Sequence, residues 1–219
     1  MERSICKIIV MGEEKVGKTS LLNLYVKNQT LSKMYKQTVG AEFLSSVKSV
    51  SGLKLTAQLW DIAGRQTFRQ ITFTNLYKGA DALVLVFDLT DLKSFENLDG
   101  WLEEFKLSVC TQYIKNDLGD SRFVRLPMML IGNKCDLVDK RVVTREAVEQ
   151  WCQSKSKLSI EYFEMSAMFR ETVTGPFDSY LLPAIVEYQN RHHQLEELPQ
   201  SPRLRSIPSA KDNKKGQIY

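Results

Sequence analysis

Gly12-Glu13-Glu14-Lys15-Val16-Gly17-Lys18-Thr19 follows the apolar run Ile5-Cys6-Lys7-Ile8-Ile9-Val10-Met11 and precedes Ser20-Leu21-Leu22-Asn23-Leu24-Tyr25-Val26. The first run reads as a strand, the last as a helix, and the spacing GxxxxGK[ST] between them is that of a phosphate-binding loop in the context it requires. Two glycines let backbone N–H groups curl around phosphate oxygens, and Lys18 adds a mobile cation. Thr19 can place its hydroxyl on Mg²⁺ at a helix N-terminus, where the dipole already favours anions. Glu14, Lys15, Val16, Gly17, Lys18, Thr19 and Ser20 are the residues expected around the phosphates.

Working outward, Ala41–Val50 and Leu53–Trp60 flank Ser51-Gly52, so these two segments are expected to pair as an antiparallel hairpin. Ala82–Phe87 and Leu126–Ile131 are apolar without alternation, as central strands covered on both faces are. Ile160–Phe163 is a shorter run. Helical patterns lie at Phe95–Val109, at Arg145–Ser154 with Thr144 as N-cap, and at Pro176–Tyr188. The alternation predicts an α/β fold, a single P-loop domain with a mixed, mostly parallel six-stranded sheet and helices on both faces. The domain is expected over 1–190, with 111–125 as a polar surface excursion.

Composition agrees with one folded domain: the 219 residues are 43% hydrophobic and 26% charged, near the globular average. No run approaches the ~18 apolar residues of a membrane span, and charge comes too early for a secretory segment. Cys6, Cys110, Cys135 and Cys152 are far apart without CxxC spacing and are read as reduced cytosolic thiols. Of the net +4, three charges belong to residues 191–219, where six Lys or Arg face three acids. The domain itself is therefore nearly neutral, which argues against a nucleic-acid face and leaves room only for a local basic patch. The Pro-, Ser- and Lys-containing stretch 191–219 is expected to be a flexible basic tail.

A phosphate loop alone does not choose its base. Asn133-Lys134-Cys135-Asp136 directly follows the strand Leu126–Ile131, and a carboxylate there can accept from both N1–H and N2–H of guanine, donors that adenine lacks at that edge. An ATP-dependent kinase built on the same loop is disfavoured on this ground. Asp61-Ile62-Ala63-Gly64 closes the third strand and puts a carboxylate near Mg²⁺ and the Gly64 N–H near the terminal phosphate. Thr38 is the remaining candidate to touch metal and phosphate together, giving Thr19, Thr38 and Asp61 as metal ligands. In the third strand Leu53, Leu55, Ala57 and Leu59 share one face, and Trp60 shares the other with Lys54, Thr56 and Gln58.

These elements, in this order, resemble the Ras superfamily. Thr38-Val39-Gly40-Ala41-Glu42-Phe43, Trp60-Asp61-Ile62-Ala63-Gly64, Tyr77-Lys78-Gly79-Ala80-Asp81 and Ser94-Phe95-Glu96-Asn97-Leu98 are similar to its Rab branch. The resemblance implies a monomeric GTPase that binds Mg-GTP and Mg-GDP and works as a switch in vesicle trafficking, with effectors, an exchange factor and an activating protein as partners. It implies that Ser166 and Ala167 approach the guanine oxygen, with Met168 where a lysine is usual. It also implies an effector surface of Phe43, Trp60 and Tyr77. A cytoplasmic protein, peripheral on the cytosolic face of endomembranes through its partners, is the expected setting.

The sequence departs from this family at further places. Arg65 stands where the family keeps a water-orienting glutamine, with Gln66 one position late, so no catalytic residue is assigned and slow hydrolysis is expected. The alternative is a constitutively GTP-bound scaffold. Single-residue length differences fall between Lys27 and Thr38 and between Ile71 and Tyr77, the first leaving Thr30 or Leu31 at a position where an aromatic often covers the base. No cysteine follows Cys152, so the prenylation signal of a Rab is missing here. Either partners and weak basic-tail attraction bring the protein to membranes, or it stays soluble, or the sequence stops short.

Overall fold

The computed structural model describes residues 3–29, 36–64, 76–110 and 123–196. Strand β1 (Arg3–Met11) leads into helix α1 (Lys18–Lys27), and the hairpin β2 (Ala41–Val50) and β3 (Leu53–Ile62) follows. Next come β4 (Ala82–Asp88), the short α2 (Leu92–Glu96), α3 (Leu98–Cys110), β5 (Met128–Asn133), α4 (Arg145–Ser154) and β6 (Ile160–Met165). The chain closes with α5 (Arg170–Pro176), a π turn (Phe177–Leu181) and α6 (Leu182–Glu196).

Among the described residues the strands form one sheet in the order β2-β3-β1-β4-β5-β6. The expected hairpin is present, with Phe43 opposite Trp60 and Val50 opposite Leu53, and every other pairing is parallel. Alternation in β1 divides the core. Cys6, Ile8 and Val10 pack with Leu21, Tyr25, Phe177 and Ile185 on the α1/α5/α6 side. Ile9 and Met11 pack with Trp101, Phe105 and Val148 on the α3/α4 side. All residues of β4 and β5 are buried, which is why both read as unbroken apolar runs. In β3, Leu55, Ala57 and Leu59 are inside and Lys54 is exposed, as the alternation requires.

Three expected boundaries change. The helix read as Phe95–Val109 is two elements, because Asp91 caps α2 by accepting from the Lys93 N–H at 3.1 Å and the chain then breaks at Asn97. The last helical region starts at Arg170, six residues before Pro176. It passes through the π turn just ahead of Pro183, a residue with no N–H for the helical ladder. Finally, α6 runs to Glu196, so the helix crosses the expected 190/191 boundary. Residues 111–122 of the polar excursion and 197–219 of the tail lie outside the described residues, while Phe123 is buried.

The π turn places Phe177 flat on Tyr25, ring centroids 4.4 Å apart, and sets Asp178 to accept from the Tyr25 hydroxyl at 2.7 Å. This joins the C-terminal helix to α1, the helix that begins at the phosphate loop. Replacing Phe177 with alanine removes a fully buried ring and is expected to cost about 3–5 kcal/mol. Urea unfolding should show this as a lower midpoint with an unchanged slope.

Candidate functional site

The loop Gly12–Gly17 lies across the C-terminal ends of β1, β4 and β5, and its glycines are required by contact. Gly12 has φ +142, and a Cβ there would sit 2.0 Å from the Val86 oxygen of β4. Gly17 has φ +99, and a Cβ there would meet Asn133 Nδ2 at 2.2 Å. That Asn133 amide donates to the Val16 carbonyl at 2.7 Å, so the segment Asn133–Asp136 clamps the loop Gly12–Gly17 directly. Lys15 takes a left-handed φ of 65, a conformation that costs a side-chain-bearing residue on the order of 1 kcal/mol. Lys18 is buried and donates to the Gly12 and Glu13 carbonyls at 2.8 and 2.7 Å.

Thr19, Thr38 and Asp61 converge as expected. The two threonine hydroxyl oxygens are 3.0 Å apart, and Thr19 donates to Asp61 Oδ2. Asp61 is 0% exposed and its Oδ1 is buried with no hydrogen-bond partner. Burial raises its pKa, opposed by the Lys18 charge and by the hydroxyls of Thr19 and Thr38. An orphaned carboxylate oxygen inside a protein is costly, and two hydroxyls beside it complete a hard oxygen set of the kind Mg²⁺ takes with phosphate and water. The residues fit that ion. Gly64 lies flush on the phosphate loop, since a Cβ there would be 2.2 Å from the Glu14 nitrogen. Ala63 donates its N–H to the Gly40 carbonyl at 2.9 Å, tying the two segments that flank the metal position.

At the other end, Cys135 donates its N–H to the Met165 carbonyl and brings the segments Asn133–Asp136 and Ser166–Met168 together. Asp136 is exposed, with Oδ1 accepting from Ser166 Oγ at 2.5 Å, and Met168 donates its N–H to the same Ser166 oxygen at 3.1 Å. Ser166 and Ala167 are buried, whereas Met168 is exposed. Lys134 Nζ reaches Asp88 Oδ2 at 2.5 Å. Asp88 is a site residue that the sequence reading missed. It accepts from the Thr90 N–H and hydroxyl at 2.8 and 2.7 Å, a local Asx turn, and this Asp-x-Thr spacing after a buried strand was its signal. Arg141 and Glu164 were missed too. They form a two-pronged pair behind the base segment, and Glu164 also accepts from Tyr162.

Phe43 and Trp60 pair edge-on at 5.1 Å with Lys7 Nζ 4.9 Å from the indole centroid, and Phe43 is 49% exposed. Tyr77 departs from the expected aromatic surface. It is 1% exposed, its hydroxyl donates to Glu104 at 2.8 Å, and its ring lies 5.8 Å from that of Phe105. Its side chain turns inward against α3, so two of the three aromatics share the surface. Arg65 and Gln66, and Thr30 and Leu31, lie outside the described residues.

A loop of the GxxxxGK[ST] pattern, a buried carboxylate beside two hydroxyls and the Asn133–Asp136 segment are the features of a P-loop guanine-nucleotide-binding protein. The Ras family model matches residues 7–185. Ras-related protein RABG3f of Arabidopsis thaliana is 40% identical over 80% of each chain. Ras-related protein Rab-7a of Dictyostelium discoideum is 38% identical over 84% of each, and Ras-related protein Rab7 of Drosophila melanogaster is 40% identical over 76% of this chain and 73% of its own. The chain belongs to the Ras family as a Rab-type small GTPase. It is a GTP-binding switch of a family that hydrolyses GTP, uses Mg²⁺ with the nucleotide and works through effectors and regulators. Among the described residues no helix is long and apolar enough to cross a membrane.

Gly17→Ala should weaken GDP binding roughly 10- to 100-fold, from backbone strain and the collision with Asn133. Gly100→Ala is the control, since nothing lies within 4 Å of that position. It should leave GDP binding unchanged and slightly raise the melting temperature. Titration with a fluorescent GDP analogue and a thermal melt check both.

Proposed function

We propose that this chain binds Mg-GTP and Mg-GDP at the loop Glu14–Ser20, reads guanine through Asp136, and recruits effectors in vesicle trafficking through Phe43 and Trp60. Tyr77 joins that surface once displaced from Glu104. The observation that carries the reading is the buried, unpartnered Asp61 Oδ1 beside the hydroxyls of Thr19 and Thr38. Thr19, Thr38 and Asp61 hold the magnesium, which when bound offsets phosphate charge. Lys18 turns its ammonium to the phosphates, and the backbone N–H groups from Glu14 to Ser20 donate to the phosphate oxygens. Gly64 offers its N–H to the terminal phosphate from its seat on the loop. Asn133 holds loop and base segment together, Lys134 lies along the base plane, and Ser166 orients Asp136 while Ala167 and Met168 bring their N–H groups to the guanine oxygen.

Hydrolysis is slow in this proposal. Arg65 has five donors and no acceptor, so it cannot hold the attacking water as an amide does. The same residue supports a second reading, a scaffold that stays GTP-loaded. The domain extends to the end of α6 at Glu196, and the basic residues beyond it supply membrane-surface attraction of ~1 kcal/mol each on the cytosolic face of endomembranes, with partners supplying the rest.

Asp136→Ala, which deletes two charge-assisted hydrogen bonds, should lower GTP affinity roughly 100-fold or more, and excess ATP should not displace GTP from the wild type. Failure of the wild type to take up GDP or GTP with magnesium would overturn the assignment. In single-turnover assays Arg65→Gln should speed GTP cleavage about tenfold or more. An unchanged rate would remove Arg65 as the cause. GTP that stays on purified wild-type protein for hours would select the scaffold over the cycling switch.

A further inference from the structure

Glu13 is the second residue of the phosphate loop, and a carboxylate beside a polyphosphate is electrostatically adverse unless it is turned away and held. It is held. Its Oε1 accepts from Asn97 Nδ2 at 3.0 Å and from Trp101 Nε1 at 3.2 Å. Asn97 is the residue at which α2 ends and α3 begins, and Trp101, 1% exposed, lies one turn along. Positions four apart share a face of a helix, so both donors come from one rigid surface.

The backbone of Glu13 does two further things. Its carbonyl takes Lys18 Nζ at 2.7 Å, and its carbonyl carbon would be 2.4 Å from a Cβ at Gly64. The side chain, the lysine that meets phosphate and the glycine of the Asp61–Gly64 segment are therefore referenced to one peptide unit. Moving the carboxylate moves the seat of both.

Resting on the nucleotide-binding reading above, we infer that Glu13 is a positioning residue: clamped by Asn97 and Trp101, it fixes the phosphate loop to α3 and so sets the grip on the β-phosphate. Asn97 and Trp101 act through Glu13 in this role. Base recognition, on the far side of Asn133, is independent of it.

The test is release of a fluorescent GDP analogue from the full chain, with GMP affinity measured in parallel because GMP has no β-phosphate. Asn97→Ala removes one donor at a half-buried position, and Trp101→Phe removes the other while keeping a ring in the core. Each should speed GDP release about tenfold, the scale of one hydrogen bond to a charged group, with GMP affinity unchanged. Glu13→Ala should do so at least as much. Adding Asn97→Ala to Glu13→Ala should then change nothing more, because the donor has lost its acceptor.

The inference is overturned if Asn97→Ala leaves GDP release unchanged, if its effect persists undiminished in the Glu13→Ala background, or if GMP affinity falls in step with GDP affinity. Should Trp101→Phe unfold the protein, the Asn97 and Glu13 pair decides alone. A wild type that holds GDP while these variants show no coupling refutes this inference and leaves guanine-nucleotide binding standing.

Discussion

The fold's function depends on how closely the phosphate loop lies against two strand ends. Gly12 touches the backbone of β4 and Gly17 touches the side chain of Asn133 at the end of β5, with no room at either for one more carbon. These contacts are possible because β4 and β5 are buried along their whole length and hold still. An interior packed to the density of an organic crystal moves little, so a loop resting on it inherits its precision. The helix that leaves the loop is fixed at its other end through Tyr25, Phe177 and Asp178, which places the C-terminal helix in the same rigid frame.

Charge is gathered at that frame. Lys18, Asp61 and Asp88 are the charged residues found buried among the described residues, and Asn133 and Ser166 are buried beside them. Such groups are tolerated inside a protein only with partners, and each has one or lies where a bound cation supplies it. Lys18 has carbonyls, Asp88 has Thr90 and Lys134, and Asp61 has two hydroxyls and one oxygen left over. Glu13 extends the pattern outward, a carboxylate turned from the phosphate side and held by two N–H groups of the neighbouring helix.

What the sequence revealed in advance divides along physical lines. The phosphate loop was legible because tight backbone contact demands glycine at Gly12 and Gly17, and the strands because complete burial leaves unbroken apolar runs. Thr19, Thr38 and Asp61 were singled out by residue type and spacing, and the fold brings them together; Asn133, Lys134 and Asp136 were singled out in the same way. The clamp on Glu13 was not, since Asn97 and Trp101 lie 84 and 88 residues away and leave no periodic trace. The Arg141–Glu164 pair escaped for the same reason. The break at Asn97 and the π turn before Pro183 are local adjustments that let a helix meet a fixed surface, and periodicity averages over them. Tyr77 was misplaced because its position is set by Glu104 and Phe105 on α3, contacts that no pattern around residue 77 encodes.

The inward turn of Tyr77 divides the ways a protein can be recognised by its neighbours. A visitor that needs only Phe43 and Trp60 finds them ready, whereas one that needs all three rings must first extract a tyrosine from a tight lodging and strip it of its carboxylate companion. If the proposed effector surface is used, it would rank its callers, admitting quick and loose associations freely and reserving the third ring for those whose contacts elsewhere are strong enough to draw it out.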